Sequence, residues 1–220
     1  MKILIILLNS FLVALINAKE LDFKQLEVKQ GLFYEITSGL LFTGNVYGGL
    51  QGKIINGKKE GQFLKFYKNG QLLSKIFYKD NQYHGEFYEY FRHGGFLSKK
   101  NYKFGNLHGE YLDYYSFGQL LSKRNFKNGK LDGDYFDYHK NGQLHNKKLY
   151  NNGKQVGASL TYHEYELEKK IQLKQKSYYN NGKKEGYYYF YDENGQLREK
   201  GNYINGKLEG EYLQYLKDGK

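Results

Sequence analysis

Cysteine, proline and tryptophan are absent from this 220-residue chain, and methionine occurs once. The missing cysteine rules out disulfides and thiolate metal sites, so a stable fold must come from elsewhere; repetition can supply it. Leucine, isoleucine and valine are too few after the first twenty residues for a thick aliphatic interior. What the chain has instead is 25 tyrosines, 15 phenylalanines and 27 glycines. Tyrosine and phenylalanine favour pleated, half-buried surfaces, and glycine marks turns that need positive φ. The composition predicts aromatic ladders on a sheet.

The N-terminus has a different character. Lys2 precedes an apolar run from Ile3 to Leu8, resumed from Phe11 to Ile16, and Asn17-Ala18 leads into Lys19-Glu20. A basic start, a short apolar core and a small residue before charged sequence read as a helical secretory signal peptide over 1–18. The run is too short and interrupted for a membrane span, and no cysteine follows to carry a lipid anchor. The chain is therefore expected to be exported to the periplasm, the cell surface or the medium. Cleavage after Ala18 removes one lysine and no acid, taking the formal charge from +11 to +10. That excess attracts anionic lipid, glycan or nucleic acid without choosing among them.

A 24-residue repeat dominates the rest. Units run over 56–79, 80–103, 104–127 and 128–151, a longer one over 152–180, then 181–204 and a truncated copy at 205–220, with 19–55 as lead-in and degenerate repeat. Eight Asn-Gly dipeptides fall at two turn positions of the unit. Asn-Gly between alternating apolar residues signals a hairpin, so each unit holds two strands. The expected fold is all-β, an elongated, open, twisted antiparallel sheet.

Stacked units expose columns. Position 9 reads Leu64, Tyr88, Leu112, Phe136, Leu160, Tyr189, Leu213; position 11 is Phe66 and then tyrosine to Tyr215. Position 17 reads Leu72, Phe96, Leu120, Leu144, Leu197, and position 23 Tyr78, Tyr102, Phe126, Tyr150, Tyr203. All four are odd, and strand side chains alternate faces. A two-residue loop would set odd positions opposite even ones. A three-residue loop, with glycine left-handed after a type I turn, keeps odd with odd and predicts all four columns on one side. Positions 12 and 18 change together, as in His139 with His145 and Asp192 with Arg198, which suggests same-face neighbours.

The unit Asn-Gly-Lys-x-x-Gly-x-Tyr-x-x-Tyr-Tyr-x-x-Gly-Gln-Leu, seen from Asn128 to Leu144 and from Asn181 to Leu197, resembles the variant MORN repeat of bacterial proteins grouped as YwqK-type antitoxins. Gly39 to Gly44 looks like a degenerate opening copy, so the resemblance covers about residues 31–220. It implies a non-catalytic interaction scaffold; an exported member could neutralise an exported effector.

Position 20 is lysine in Lys75, Lys99, Lys123, Lys147 and Lys200, spaced about 10 Å apart along the sheet. Position 8 holds Phe63, Phe87, Tyr111, Tyr135, Tyr188 and Tyr212. Read together they form a basic, aromatic stripe for an acidic partner. The bland alternative pairs those lysines with the acids at position 10, Glu89, Asp113 and Asp137, for solubility. The six histidines show no metal-ligand spacing, Ser74, Ser98 and Ser122 share a repeat column as structural residues do, and no cofactor motif or catalytic break in the repetition occurs. The insertion around 163–171 reads either as an extended hairpin that protrudes toward a partner or as simple drift of the repeat. Partners in view are a protein, an anionic membrane surface or a glycan, the last weakened by the missing tryptophan. Export argues against nucleic acid, and two unsheltered sheet edges suit a homodimer.

Overall fold

The computed structural model describes residues 19–165 and 171–216. The expected signal peptide over 1–18 lies outside the described residues. Apart from one 3-10 turn at Phe23–Gln25, the regular structure is strand. The lead-in supplies β1 (Glu20–Asp22), β2 (Leu26–Lys29), β3 (Leu32–Glu35), β4 (Gly44–Tyr47) and β5 (Leu50–Ile55). The repeats continue with β6 (Lys58–Phe66), β7 (Leu72–Lys79), β8 (Gln82–Tyr90), β9 (Phe96–Lys103), β10 (Asn106–Leu107), β11 (Gly109–Tyr114) and β12 (Leu120–Lys127). Then follow β13 (Lys130–Tyr138), β14 (Leu144–Asn151), β15 (Lys154–Tyr162), β16 (Leu173–Asn180), β17 (Lys183–Lys184), β18 (Gly186–Tyr191), β19 (Leu197–Ile204) and β20 (Lys207–Gln214).

All strands except β2 and β3 form one open 18-stranded sheet. From β4 on, each strand pairs antiparallel with its successor in the chain, β10 with β11 and β17 with β18 each acting as one interrupted strand. A parallel edge, β1 against β4, begins the sheet, and β20 ends it. Neighbour-to-neighbour pairing is what a tandem hairpin repeat dictates, since the two- and three-residue turns of its units are too short for any other return.

The two turns of a unit differ. Between units, both central residues have positive φ, 48° and 72° at Asn56-Gly57 and 50° and 80° at Asn128-Gly129. That is a two-residue type I′ loop, with Ile55 paired to Lys58 and Lys127 to Lys130 across it. Within a unit, the Tyr67 N–H donates to the Gln71 carbonyl at 2.8 Å and the Gly70 N–H to the Tyr67 carbonyl at 2.9 Å. Gly70 has φ 85°. Lys68-Asn69-Gly70 is thus the expected three-residue loop, and at its base Phe66 pairs with Leu72, odd with odd.

One step farther the register shifts. A β-bulge leaves Leu73 extra and pairs Lys65 with Ser74, and the same shift recurs at Glu89/Tyr90, Asp113/Tyr114, Asp137/Tyr138, Thr161/Tyr162 and Phe190/Tyr191. This corrects the expectation of one apolar side. Positions 9, 11 and 17 share a face, but position 23 lies on the other, with positions 8, 21 and 4. One inserted residue is enough, because side chains change sides every residue.

The paired drift of positions 12 and 18 is contact. The His139 and His145 rings lie 4.2 Å apart, and Arg198 forms an ion pair with Asp192.

The face carrying positions 4, 8, 21 and 23 holds the core, and the described residues cover only its beginning. The β2–β3 hairpin is tied to the sheet by the Phe33 N–H bond to the Gly57 carbonyl and by Asn81 Nδ2 donating to the Gly31 carbonyl. Phe33, Phe42, Val46, Ile54 and Phe63 form the buried cluster there. The pairs Gly44–Ile54 and Val46–Gly52 repeat the pairs Gly61–Tyr78 and Phe63–Ile76, so 39–55 carries the unit's register with a shortened loop. At Gly52 a Cβ would stand 2.5 Å from the Phe63 ring, so no side chain fits.

Candidate functional site

The face opposite the core carries an unbroken alternation. Position 20 pairs with position 9 of its own unit and with position 9 of the next: Leu64–Lys75–Tyr88–Lys99–Leu112–Lys123–Phe136–Lys147–Leu160–Lys176–Tyr189–Lys200–Leu213. Every lysine of the row stands between two apolar side chains. Lys176 belongs to it and was hidden in the sequence, because the insertion obscures the unit's frame. The spacing from Leu173 to Lys176, equal to that from Leu120 to Lys123, is the signal that finds it.

The ammonium groups lie over rings of this same face. Lys99 Nζ is 3.9 Å from the Phe96 centroid, Lys200 5.0 Å from Tyr187, Lys176 5.2 Å from Tyr178, Lys75 5.3 Å from Phe77 and Lys147 5.8 Å from Phe136. Such contacts hold the long side chains down while their charge stays available. Lys123 alone in the row has an acidic partner among the described residues, Glu110, whose hydrogen bond raises the lysine's pKa.

The aromatic column of position 8, expected beside these lysines, is on the other side. Phe63, Phe87, Tyr111, Tyr135, Tyr188 and Tyr212 pair with, or lie beside, position 21, and their cations are different ones. Lys100 lies 5.1 Å from both Phe87 and Tyr111, Arg124 4.4 Å from Tyr111, and Lys148 5.1 Å from Tyr135. The structure therefore does not bring Lys75, Lys99, Lys123, Lys147 and Lys200 together with the position-8 column. Neither do they oppose the position-10 acids. Glu89 accepts from Ser98 Oγ and Lys100 Nζ, both at 2.6 Å; Asp113 binds Arg124 and Ser122; Asp137 accepts from Asn146. The bulge that splits the apolar columns separates these sets too.

On this core face Lys100 and Arg124 are paired with the acids Glu89 and Asp113. Burial pushes the Glu89 carboxyl up, but the hydrogen bonds from Lys100 and Ser98 outweigh it and hold the group below the usual range. Burial pushes the Tyr135 hydroxyl up to about 12, aided by its hydrogen bond to Asp137. Ser74, Ser98 and Ser122 are buried between strands. His145 is held below the usual histidine value by burial and by the neighbouring His139.

The insertion of the long unit is anchored where it is described. The His163 N–H donates to the Gln172 carbonyl at 3.0 Å, Tyr165 Oη donates to the Glu193 carbonyl at 2.6 Å, and Asn141 Nδ2 donates to the Tyr165 carbonyl at 2.7 Å. Its stem folds along the neighbouring turns, and residues 166–170, the expected tip, lie outside the described residues.

Four stretches, 59–80, 107–128, 131–152 and 184–205, match the family model described as the MORN repeat variant. Each runs from position 4 of one unit to position 1 of the next. No curated protein matches the chain.

Proposed function

This chain carries the MORN repeat variant at four places, and we propose that it is a non-catalytic, exported scaffold whose lysine face binds an acidic protein surface. The observation that carries this reading is the row from Leu64 to Leu213, in which lysine and an apolar residue alternate strand by strand. Aromatic and aliphatic side chains supply contact area, and the lysines supply electrostatic complementarity. Exposed lysine–carboxylate pairs contribute about 0–1 kcal/mol each, so several acting together are needed for useful affinity. Opposition of charge within the face would cancel this, and Lys123–Glu110 is its one acid contact in the row among the described residues.

Export rests on the sequence from Lys2 to Ala18. It is tested by N-terminal sequencing of the protein recovered from its native envelope, with Lys19 expected as the first residue.

The binding test uses the triple variant Lys99→Glu, Lys123→Glu, Lys147→Glu. Envelope proteins that co-purify with the wild type should be lost from the variant and released from the wild type by raised salt. Retention by the variant would overturn the reading. Co-sedimentation with anionic vesicles but with no protein would transfer the face to a membrane surface.

A further inference from the structure

We propose that the junction between the lead-in and the first two hairpins is a binding site for a small amphiphilic carboxylate. A cavity of about 440 Å³ opens there on the core face, walled by Phe23, Leu50, Ile76 and Tyr78. That size is within the range of small-ligand pockets, and an apolar wall with a few charged groups is their usual make-up.

The charged groups are unbalanced. Lys24, Lys59 and Lys65 line the cavity against one acid, Asp22. Asp22 is committed to the turn, its Oδ1 accepting the Lys24 backbone N–H at 2.9 Å. The Lys59 ammonium lies 4.9 Å from the Tyr78 ring, 5.3 Å from Phe33 and 5.6 Å from Phe63, with no carboxylate in ion-pair reach among the described residues. Burial, then the charge of Lys65, pushes the Lys59 pKa down. A cation among apolar walls without a counter-ion is unfavourable, and an anion supplied from solution would relieve it.

The repeat itself identifies what is missing. Position 10 is Glu89, Asp113 and Asp137 in the three following units, and there it neutralises or hydrogen-bonds its neighbours on the core face. In the first unit the same slot is Lys65. A ligand carboxylate held between Lys59 and Lys65 would take the place of the absent acid, with its apolar body against Phe23 and Leu50. This site is on the opposite side of the sheet from the lysine face and does not depend on that face binding anything.

Calorimetric titration of the full chain with octanoate, octan-1-ol and octylamine tests the proposal. Octanoate should bind about tenfold or more tightly than octanol, as a charge-assisted contact predicts, and octylamine should not bind. Lys65→Glu, which restores the acid of the other units, should abolish octanoate binding while leaving the circular dichroism spectrum unchanged. Lys24→Gln should weaken binding less than Lys65→Glu does. Equal affinity for octanol and octanoate, no binding of octanoate, or octanoate binding that survives Lys65→Glu in a folded protein would each overturn the site. Lys65→Glu leaves the lysine face intact, so its loss of octanoate is distinguishable from a failure to bind an acidic protein.

Discussion

The two ends of the sheet are built from one repeat and solve different problems. Up to Phe87 the apolar residues of the core face, Val46, Ile54, Phe63, Ile76 and Phe87, are buried, with Phe33 of the lead-in clustered with Val46, Ile54 and Phe63 at its beginning. Beyond Phe87 the buried side chains of the same face are those of Ser98, Ser122, Ser159 and Ser177. Position 21 changes from Ile76 to Lys100, Arg124 and Lys148, and position 8 from phenylalanine to tyrosine. Where a cover exists, apolar area removed from water stabilises the sheet. Where no described segment covers the face, the same positions must be wettable, and tyrosine with a matched ion pair meets that need while keeping ring contacts. The comparison shows that sequence drift along a repeat reports what lies over it.

The sharpest way to break this contrast is to truncate position 8 at both ends. Phe63→Ala, at a fully buried ring, should cost about 3–5 kcal/mol in urea unfolding. Tyr135→Ala, half-buried at the equivalent position, should cost about 1–2 kcal/mol. Similar losses would mean that the open end holds a hidden core.

Glycines test the same point by addition. A Cβ at Gly52 meets the buried Phe63 ring at 2.5 Å, whereas one at Gly201 meets Leu208 at 2.8 Å and Tyr212 at 3.0 Å, both exposed and able to turn aside. Gly52→Ala should destabilise by about 1–3 kcal/mol and Gly201→Ala by about 0.5 kcal/mol or less.

The ionic arrangement of the open end predicts pH dependence. The folded-state pKa of Glu89 lies below its usual value of 4.5, so the stability it contributes is present above that pH and is lost as pH falls through the lower folded value. Glu89→Gln should cost about 1 kcal/mol at neutral pH and remove that acid slope, measured by thermal melts from pH 7 to 3. His145 has a folded pKa below 6.5, so the unfolded chain takes up the proton first and stability declines as pH falls below about that value. His145→Leu, the residue of other units, should flatten the profile between pH 7 and 5.

The smallest effect concerns a turn. Phe104 occupies the left-handed position, φ 48°, that asparagine or, at Asp80, aspartate fills in the other units, and its ring lies 4.8 Å from His84. Phe104→Asn should gain about 0.5 kcal/mol, relief of backbone strain being partly offset by the lost ring contact.

Much of this architecture is visible in the residues alone. Asn-Gly at fixed intervals implies hairpins, their spacing implies two strands per unit, and short turns leave only neighbour pairing. Gly39 to Gly44 was readable as a degenerate opening copy. The bulge after each three-residue loop was not readable. Leu73 and Leu97 look like ordinary strand residues, and nothing local distinguishes a residue that has lost its partner. The two halves of the candidate stripe part for that reason: a one-residue shift in pairing exchanges the two faces, so Lys75 stands between Leu64 and Tyr88 while Phe63 and Phe87 pair with Ile76. The cavity was equally out of sight, since it joins Phe23 to Ile76 across a distance in sequence that no periodicity spans.

Repetition, turn chemistry and the identity of each column were set by the chain itself, because they rest on contacts within a few residues. Which columns share a face, and which of them the lead-in keeps dry, was decided in three dimensions. Register accumulates from pairing between strands, and burial depends on what another segment covers.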